Sequence, residues 1–306
     1  MTGWIAGGAK SSPVPDRRNP LQERLSIVSD RLRVALVQLN SGSDKTVNLA
    51  KIDRFVGEAA DTGARLVALP EYVTYLGPKE GFADAAEPIP GPTTERFANL
   101  ARRHGIYLLG GSIHEQTDSQ GKYFNTSTLF DPNGELIAAY RKVHLFDVRI
   151  GDNVVAAESE HIVAGDEPVT AEVDGHRIGF SICYDLRFPE LYRSLAVAGA
   201  EILFVPAAFT LYTGKDHWHL LLRARAVENQ CFVLAPGQVG AHEPNARCYG
   251  HSLIIDPWGT VLADAPDREA VVVADLDFAD LRRVRDELPS LANRQPAAYE
   301  RQLVAV

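Results

Sequence analysis

The sequence predicts an α/β fold built from two similar halves. Two observations carry that prediction. Short apolar runs rich in strand formers alternate with segments whose apolar residues fall at helical spacing. Three local patterns of the first half also recur, in order, in the second. Gly63-Ala64-Arg65-Leu66, leading to Pro70, returns as Gly199-Ala200-Glu201-Ile202, leading to Pro206. Ile106-Tyr107-Leu108-Leu109 returns as Cys231-Phe232-Val233-Leu234. Ser127-Thr-Leu-Phe-Asp131-Pro132-x-Gly134 returns as Ser252-Leu-Ile-Ile-Asp256-Pro257-x-Gly259, and these last two matches share an offset of 125 residues. An ordered series of this kind is an internal duplication rather than chance agreement of turn residues.

In chain order, Arg33 to Leu39 reads as the first strand. A helix follows, with Leu49, Ile52, Val56 and Ala59 on one face and Gly63 as its stop. Leu66 to Leu69 is a buried strand that ends at Pro70-Glu71. The next helix spans Pro92, suited to a first turn, to Gly105, and Ile106 to Leu109 is the strand after it. Each Asp-Pro-x-Gly turn joins two apolar runs into a β-hairpin. His176 to Ile182 is a strand that delivers Cys183 to a turn, and Pro189 opens the helix beyond it. Phe278 to Leu288 is an amphipathic helix carrying Arg282, Arg283 and Arg285. Residues 1–30 read as a loosely ordered extension, 31–288 as the folded domain, and 289–306 as a tail suited to packing on a neighbouring copy.

Composition narrows the function classes. A formal charge of −9 argues against nucleic acid or an anionic membrane as the main partner. The three cysteines, Cys183, Cys231 and Cys248, form neither a disulfide framework nor a zinc-ligand spacing, which points to a reducing, cytoplasmic setting. No apolar run reaches the ~18 residues of a membrane span, and the first thirty residues lack a secretory h-region.

Three residues carry the chemistry. A cysteine alone is usually a small core residue, and Cys231 and Cys248, beside apolar strands, keep that reading. Cys183 differs because a strand-to-helix turn exposes a nucleophile and turns the next backbone N–H, that of Tyr184, toward a developing oxyanion. A thiol nucleophile needs a base and a group that stabilises negative charge. Glu71, at a buried strand end where α/β ligand sites collect, suits the first task, and Lys142, at the end of the strand running through Tyr140, suits the second. Taken singly, either is as well read as a solvated charge.

The combination is specific. Ala68-Leu-Pro-Glu71, Tyr140-Arg-Lys142-Val-His-Leu-Phe-Asp147 and Ile182-Cys183-Tyr-Asp-Leu-Arg-Phe-Pro-Glu190 resemble, in order, the three motifs of the nitrilase superfamily, and most closely its Nit branch of amidases. Thr213-Gly-x-x-His217-Trp and Tyr249-Gly-His-Ser extend the resemblance, which covers residue 33 to about 300. It implies a four-layer αββα sandwich, no cofactor and no metal, a homodimer or larger homo-oligomer, and a thioester mechanism on a small carboxylated amide. Deaminated glutathione is the first substrate it suggests. 2-Oxoglutaramate or an N-carbamoyl amino acid is the alternative. The resemblance further implies that Glu158 is the family's second glutamate, supporting Lys142 or the substrate. Arg187 is a candidate partner for a substrate carboxylate through its planar fork. One departure is His219, where animal members commonly carry an acid; it suggests an altered amine side of the pocket. His217-x-His219 lacks the matched carboxylate or cysteine that a metal site needs. A Cys–His protease has no local signature here, and a catalytically silent binding protein sits poorly with an intact Glu71, Lys142 and Cys183.

Overall fold

The computed structural model describes residues 29–119, 121–151 and 154–299. Strand β1 (Arg31–Gln38) alternates strictly: Leu32, Val34 and Leu36 face one buried layer, Ala35 and Val37 the other. Helix α1 (Lys45–Asp61) starts at Asp44, whose carboxylate accepts the N–H groups of Thr46 at 2.9 Å and Val47 at 3.1 Å. Its Ile52, Phe55, Val56 and Ala59 form a buried stripe. Strand β2 (Leu66–Ala68) returns parallel to β1. After a short helix α2 (Phe82–Ala85), α3 (Pro92–His104) opens on its proline and closes at Gly105, whose φ of 64° ends the turn in a left-handed residue. Strand β3 (Tyr107–Leu109) lies parallel to β2, and β4 (Ile113–Gln116), β5 (Tyr123–Phe130) and β6 (Leu136–Arg141) continue the sheet antiparallel.

A two-stranded ribbon, β7 (Asp147–Ile150) with β8 (Val154–Ala157), leads into the second half. There β9 (Thr170–Val173), β10 (His176–Gly179), α4 (Pro189–Val197), β11 (Ile202–Phe204), α5 (Leu211–Asn229) and β12 (Phe232–Ala235) follow one another. A second ribbon pairs β13 (Val239–His242) with β14 (Ala246–Tyr249). The hairpin β15 (Leu253–Ile255) and β16 (Val261–Asp264) completes the second sheet, and β17 (Ala270–Asp277) crosses back to the edge of the first. Helix α6 (Phe278–Glu287) and a short α7 (Pro296–Tyr299) end the described chain.

The duplication is visible strand by strand. One sheet runs β17-β1-β2-β3-β5-β4, with β6 also on β5; the other runs β16-β15-β12-β11-β10-β9. Each has three parallel central strands, β1-β2-β3 and β10-β11-β12, flanked by antiparallel neighbours. The two Asp-Pro-x-Gly turns are built alike. In each the aspartate side chain accepts two backbone N–H bonds, from Asn133 and Glu135 or from Trp258 and Thr260. Gly134 and Gly259 take φ values of 78° and 88°, a region glycine enters without strain.

Apolar residues of both sheets, including Val34, Leu66, Leu129, Phe180, Ile202 and Phe204, meet in one buried cluster. Leu195 and Trp218 join it from α4 and α5. A second cluster packs the other face of the first sheet against α1 and α3 through Ile52, Val56, Phe97 and Leu100. The order of layers is therefore helix, sheet, sheet, helix, the αββα sandwich expected. Residues 1–28 of the expected extension and 300–306 of the expected tail lie outside the described residues. Ser29 and Asp30 already join the domain through their carbonyls, which meet the His176 ring at 3.0 Å and the Phe278 N–H at 2.8 Å.

Candidate active site

Four strand ends deliver the site. The chain leaves β2 through Pro70 to Glu71, leaves β6 directly into Lys142, leaves β8 into Glu158, and leaves β10 through Phe180 to Ile182 into Cys183. The last stretch departs from the sequence reading, because β10 stops at Gly179. Beyond it the chain still runs alongside the extension of β11, with the Ser181 N–H donating to the Phe204 carbonyl at 3.1 Å and the Cys183 N–H to the Pro206 carbonyl at 3.0 Å. All four side chains line one cavity of about 290 Å³.

Lys142 occupies the centre. Its ammonium donates to Glu71 Oε1 at 3.0 Å and to the two Glu158 oxygens at 3.1 and 2.9 Å. Glu71 is held further by Asn125 Nδ2 at 2.8 Å on Oε1 and by the Ala208 backbone N–H at 2.7 Å on Oε2. Glu158 accepts from the Tyr72 hydroxyl at 2.7 Å and the Phe146 N–H at 2.6 Å. Burial works against each charge, and the partners overcome it. Burial disfavours the Lys142 ammonium, yet Glu158 and Glu71 hold its pKa well above the ordinary lysine value. Burial likewise opposes the Glu158 carboxylate, and Lys142, the Phe146 N–H and Tyr72 keep its pKa below the usual range.

Cys183 has a φ of 48°, in the left-handed region where a residue with a Cβ is strained. The strain is held by Asp185, the third residue of the short helical turn Cys183–Arg187, whose carboxylate accepts the Ile182 N–H at 2.8 Å. The same carboxylate takes the Tyr140 hydroxyl at 2.7 Å and the His144 N–H at 3.0 Å. One buried aspartate therefore ties the cysteine turn to the segment carrying Lys142. The Cys183 thiol is pushed well above the ordinary thiol pKa, first by burial and then by the Glu71 charge. It rests as a neutral thiol beside a carboxylate, so ionisation needs a base at the moment of attack.

Aromatic rings make the rest of the wall. Tyr72, Tyr75, Phe82, Phe146 and Tyr184 line it, and the Tyr184 ring stands edge-on to Phe146 at 5.1 Å. His114 joins them, stacked on Tyr72 at 4.6 Å, and complete burial lowers its pKa to about 3, so it is neutral.

Of the residues the sequence proposed, Glu71, Lys142, Glu158, Cys183 and Tyr184 are brought together. Arg187 is not among the cavity-lining residues. Its guanidinium lies behind the wall, over the rings of Phe209 at 5.4 Å and Tyr184 at 5.9 Å and 3.4 Å from His217 Nδ1. Among the described residues no carboxylate pairs with it. His219 also lies away from the cavity, facing Asp264, Tyr249 and His251. The expectation that it reshapes the amine side of the pocket is therefore corrected: the turn of α5 that carries it points to the second hairpin, and Thr213 is the α5 residue that reaches the cavity.

Sequence reasoning missed Tyr72, Asn125 and Asp185. Only Asp185 left a local signal, an acid at the third position of a helical turn, where it can reach back to the N-cap N–H. Tyr72, in the turn after β2, and Asn125, on β5, declare themselves only through what they touch.

The fold and site define a class: an α/β sandwich hydrolase with a buried Glu-Lys-Cys constellation. The carbon-nitrogen hydrolase family profile matches residues 33–286, and the chain belongs to that family. The chain is 43% identical over 263 residues to the deaminated glutathione amidase of Synechocystis sp., an alignment spanning 85% of this chain and 97% of that one. It is 39% identical to the omega-amidase of Homo sapiens, over 87% of this chain and 96% of that one. The crystal structure of Saccharomyces cerevisiae Nit3, a member of branch 10 of the nitrilase superfamily, superposes with a TM-score of 0.79 at 35% identity, over 88% of this chain and 97% of that one. The protein is a carbon-nitrogen hydrolase of the amidase kind.

Proposed function

We propose that the protein hydrolyses a small carboxylated amide, of the deaminated glutathione type, through a thioester on Cys183. The observation that carries this reading is the Lys142 ammonium bonded to both Glu71 and Glu158 at the floor of the cavity that holds the Cys183 thiol. Glu71 accepts the thiol proton as sulfur attacks the amide carbon. The negative charge that develops on the carbonyl oxygen is met by the Lys142 ammonium and the Tyr184 N–H. Collapse of the tetrahedral intermediate breaks the C–N bond, and Glu71 returns its proton to the departing amine. Water then attacks the thioester with Glu71 again as base, which releases the acid and restores the thiol. Glu158 keeps Lys142 in place and charged.

The substrate class follows from cavity size and from the relatives. About 290 Å³ suits a five-carbon 2-oxo acyl unit rather than a whole peptide. Such a unit is common to deaminated glutathione and 2-oxoglutaramate, the latter being the second reading. The larger amine portion would run past Tyr75, Leu76 and Lys79, which also line the cavity. Arg187 is placed to meet the acyl carboxylate only if the Tyr184 or Phe209 ring gives way.

Intact mass after incubation with a panel of small amides tests the thioester; an acyl adduct on Cys183 is expected. Side-by-side kcat/KM values test the substrate. Preference for a nitrile or an N-carbamoyl amino acid over both 2-oxo amides overturns the reading.

We further propose that the chain works as a homodimer in the cytoplasm. Leu220 is 66% and Trp258 60% exposed, and Val227, which the Gly259 turn abuts, is exposed beside them. Such a patch on α5 and the second hairpin suits a self-interface. Light scattering at micromolar concentration showing a monomer overturns it. Among the described residues no helix is long and apolar enough to cross a membrane.

A further inference from the structure

The sequence offers His217 and His219 as a pair, but the structure separates them. His217 Nδ1 faces the Arg187 guanidinium, whereas His219 joins a different histidine and an acid. His219 Nε2 lies 3.2 Å from Asp264 Oδ2, and His251 Nδ1 lies 2.8 Å from Asp264 Oδ1. One donor atom from each of the three residues falls within 4.8 Å of the others. A tetrahedral zinc ion about 2.0–2.1 Å from each imidazole nitrogen holds its donors roughly 3.3 Å apart, so small side-chain rotations suffice.

The surroundings are those of a built site. His251 Nε2 lies 3.4 Å from Oδ1 of the exposed Asp267, within reach of the carboxylate contact that orients metal-bound histidines. The His251 backbone is fixed as well: its carbonyl accepts the Nε1–H of fully buried Trp218 at 2.8 Å, and its φ is 51°. The carboxylates of Asp264 and Asp267, at 2.8 and 3.4 Å from the two His251 ring nitrogens, supply negative charge around the histidines. Side-chain exposures of 36% for His219, 25% for His251 and 38% for Asp264 leave the cluster open to an ion and to a water ligand.

We propose that His219, His251 and Asp264 bind a zinc-class divalent cation, with Asp267 supporting His251. The ion ties α5 to the β15–β16 hairpin, apart from the amidase cavity. Two imidazoles and one carboxylate match the nitrogen-and-oxygen donor sets zinc accepts.

The test uses full-length protein carrying Cys183→Ala, which removes the reactive thiol as a competing ligand. Zinc chloride is titrated in by calorimetry, and cobalt(II) chloride by visible absorption. One equivalent should bind, raise Tm, and give a cobalt spectrum without the intense near-ultraviolet band of thiolate ligation. His219→Ala and His251→Ala, and separately Asp264→Asn, should abolish that binding. Asp267→Asn should weaken it on the order of 10-fold. Affinity should fall in acid, where protons compete with the metal for the ligand nitrogens. Absence of binding, or binding unchanged in His219→Ala and His251→Ala, overturns the proposal and leaves a hydrogen-bonded His-Asp-His array. Either result is independent of amidase turnover, so the catalytic reading stands or falls separately.

Discussion

The two halves of this protein share their strands, helices and turns, yet they place different chemistry at matching positions. After β2 the chain reads Pro70-Glu71; after β11 it reads Pro206-Ala207. Val34 pairs with Leu66 and Ile178 with Ile202, so Cys183 in the second half occupies the place of Leu39 in the first. Leu39 is a buried apolar residue, while Cys183 lines the cavity with a strained backbone. The difference teaches that the repeated scaffold supplies strand ends and freed backbone groups, and that each half fills them differently. The second half still serves the first, since the Ala208 N–H steadies Glu71.

The largest expected effect comes from the cysteine. Cys183→Ala should abolish turnover with the fold intact by circular dichroism, whereas Cys231→Ala and Cys248→Ala should remain active. Turnover surviving in purified Cys183→Ala would contradict the mechanism.

Next is the asymmetry at the two proline-linked strand ends. Glu71→Gln should lower kcat by roughly 10²–10⁴, the span that general-base loss produces. Ala207→Ser, at the matching place, should leave kcat within a few-fold. Comparable losses in both would mean that the strand end, not the carboxylate, matters.

Lys142→Ala should lower kcat at least ~10²-fold, as removal of an oxyanion donor does. It should also destabilise the protein by about 3–5 kcal/mol, because Glu71 and Glu158 are left buried without their cation. Urea unfolding and steady-state kinetics measure the two effects. A variant with raised KM and normal kcat would contradict the transition-state role.

The raised pKa of the Cys183 thiol gives a pH prediction. Its iodoacetamide alkylation rate should climb about tenfold per pH unit through neutrality and past the ordinary thiol value of ~8.5. A rate already level below pH 7 would mean a preformed thiolate. The smallest effect is expected for Tyr72→Phe, which removes one hydrogen bond to the Glu158 carboxylate and should cost ~1.5–3 kcal/mol in urea unfolding.

How much of this was legible in the sequence divides along physical lines. Apolar periodicity fixed the elements, because a strand or helix must bury its own repeating face wherever it lies; β1, α1, α3 and both hairpins stand within a few residues of their expected places. The order of recurring turns exposed the duplication, and Glu71, Lys142 and Cys183 stood out because each follows a strand in a recognisable motif. Tertiary structure alone decided the rest. Asn125 on β5, Tyr72 in the turn after β2 and Ala208 in the loop after β11 reach the carboxylates from separate segments, and nothing in their local sequence announces a partner. Arg187 looked like a substrate ligand but stands behind two rings, and His219 looked like part of the pocket but turns toward Asp264. Sequence spacing sets which face of an element a residue occupies; what that face meets depends on how the layers stack, and that is settled only when the two sheets pack together.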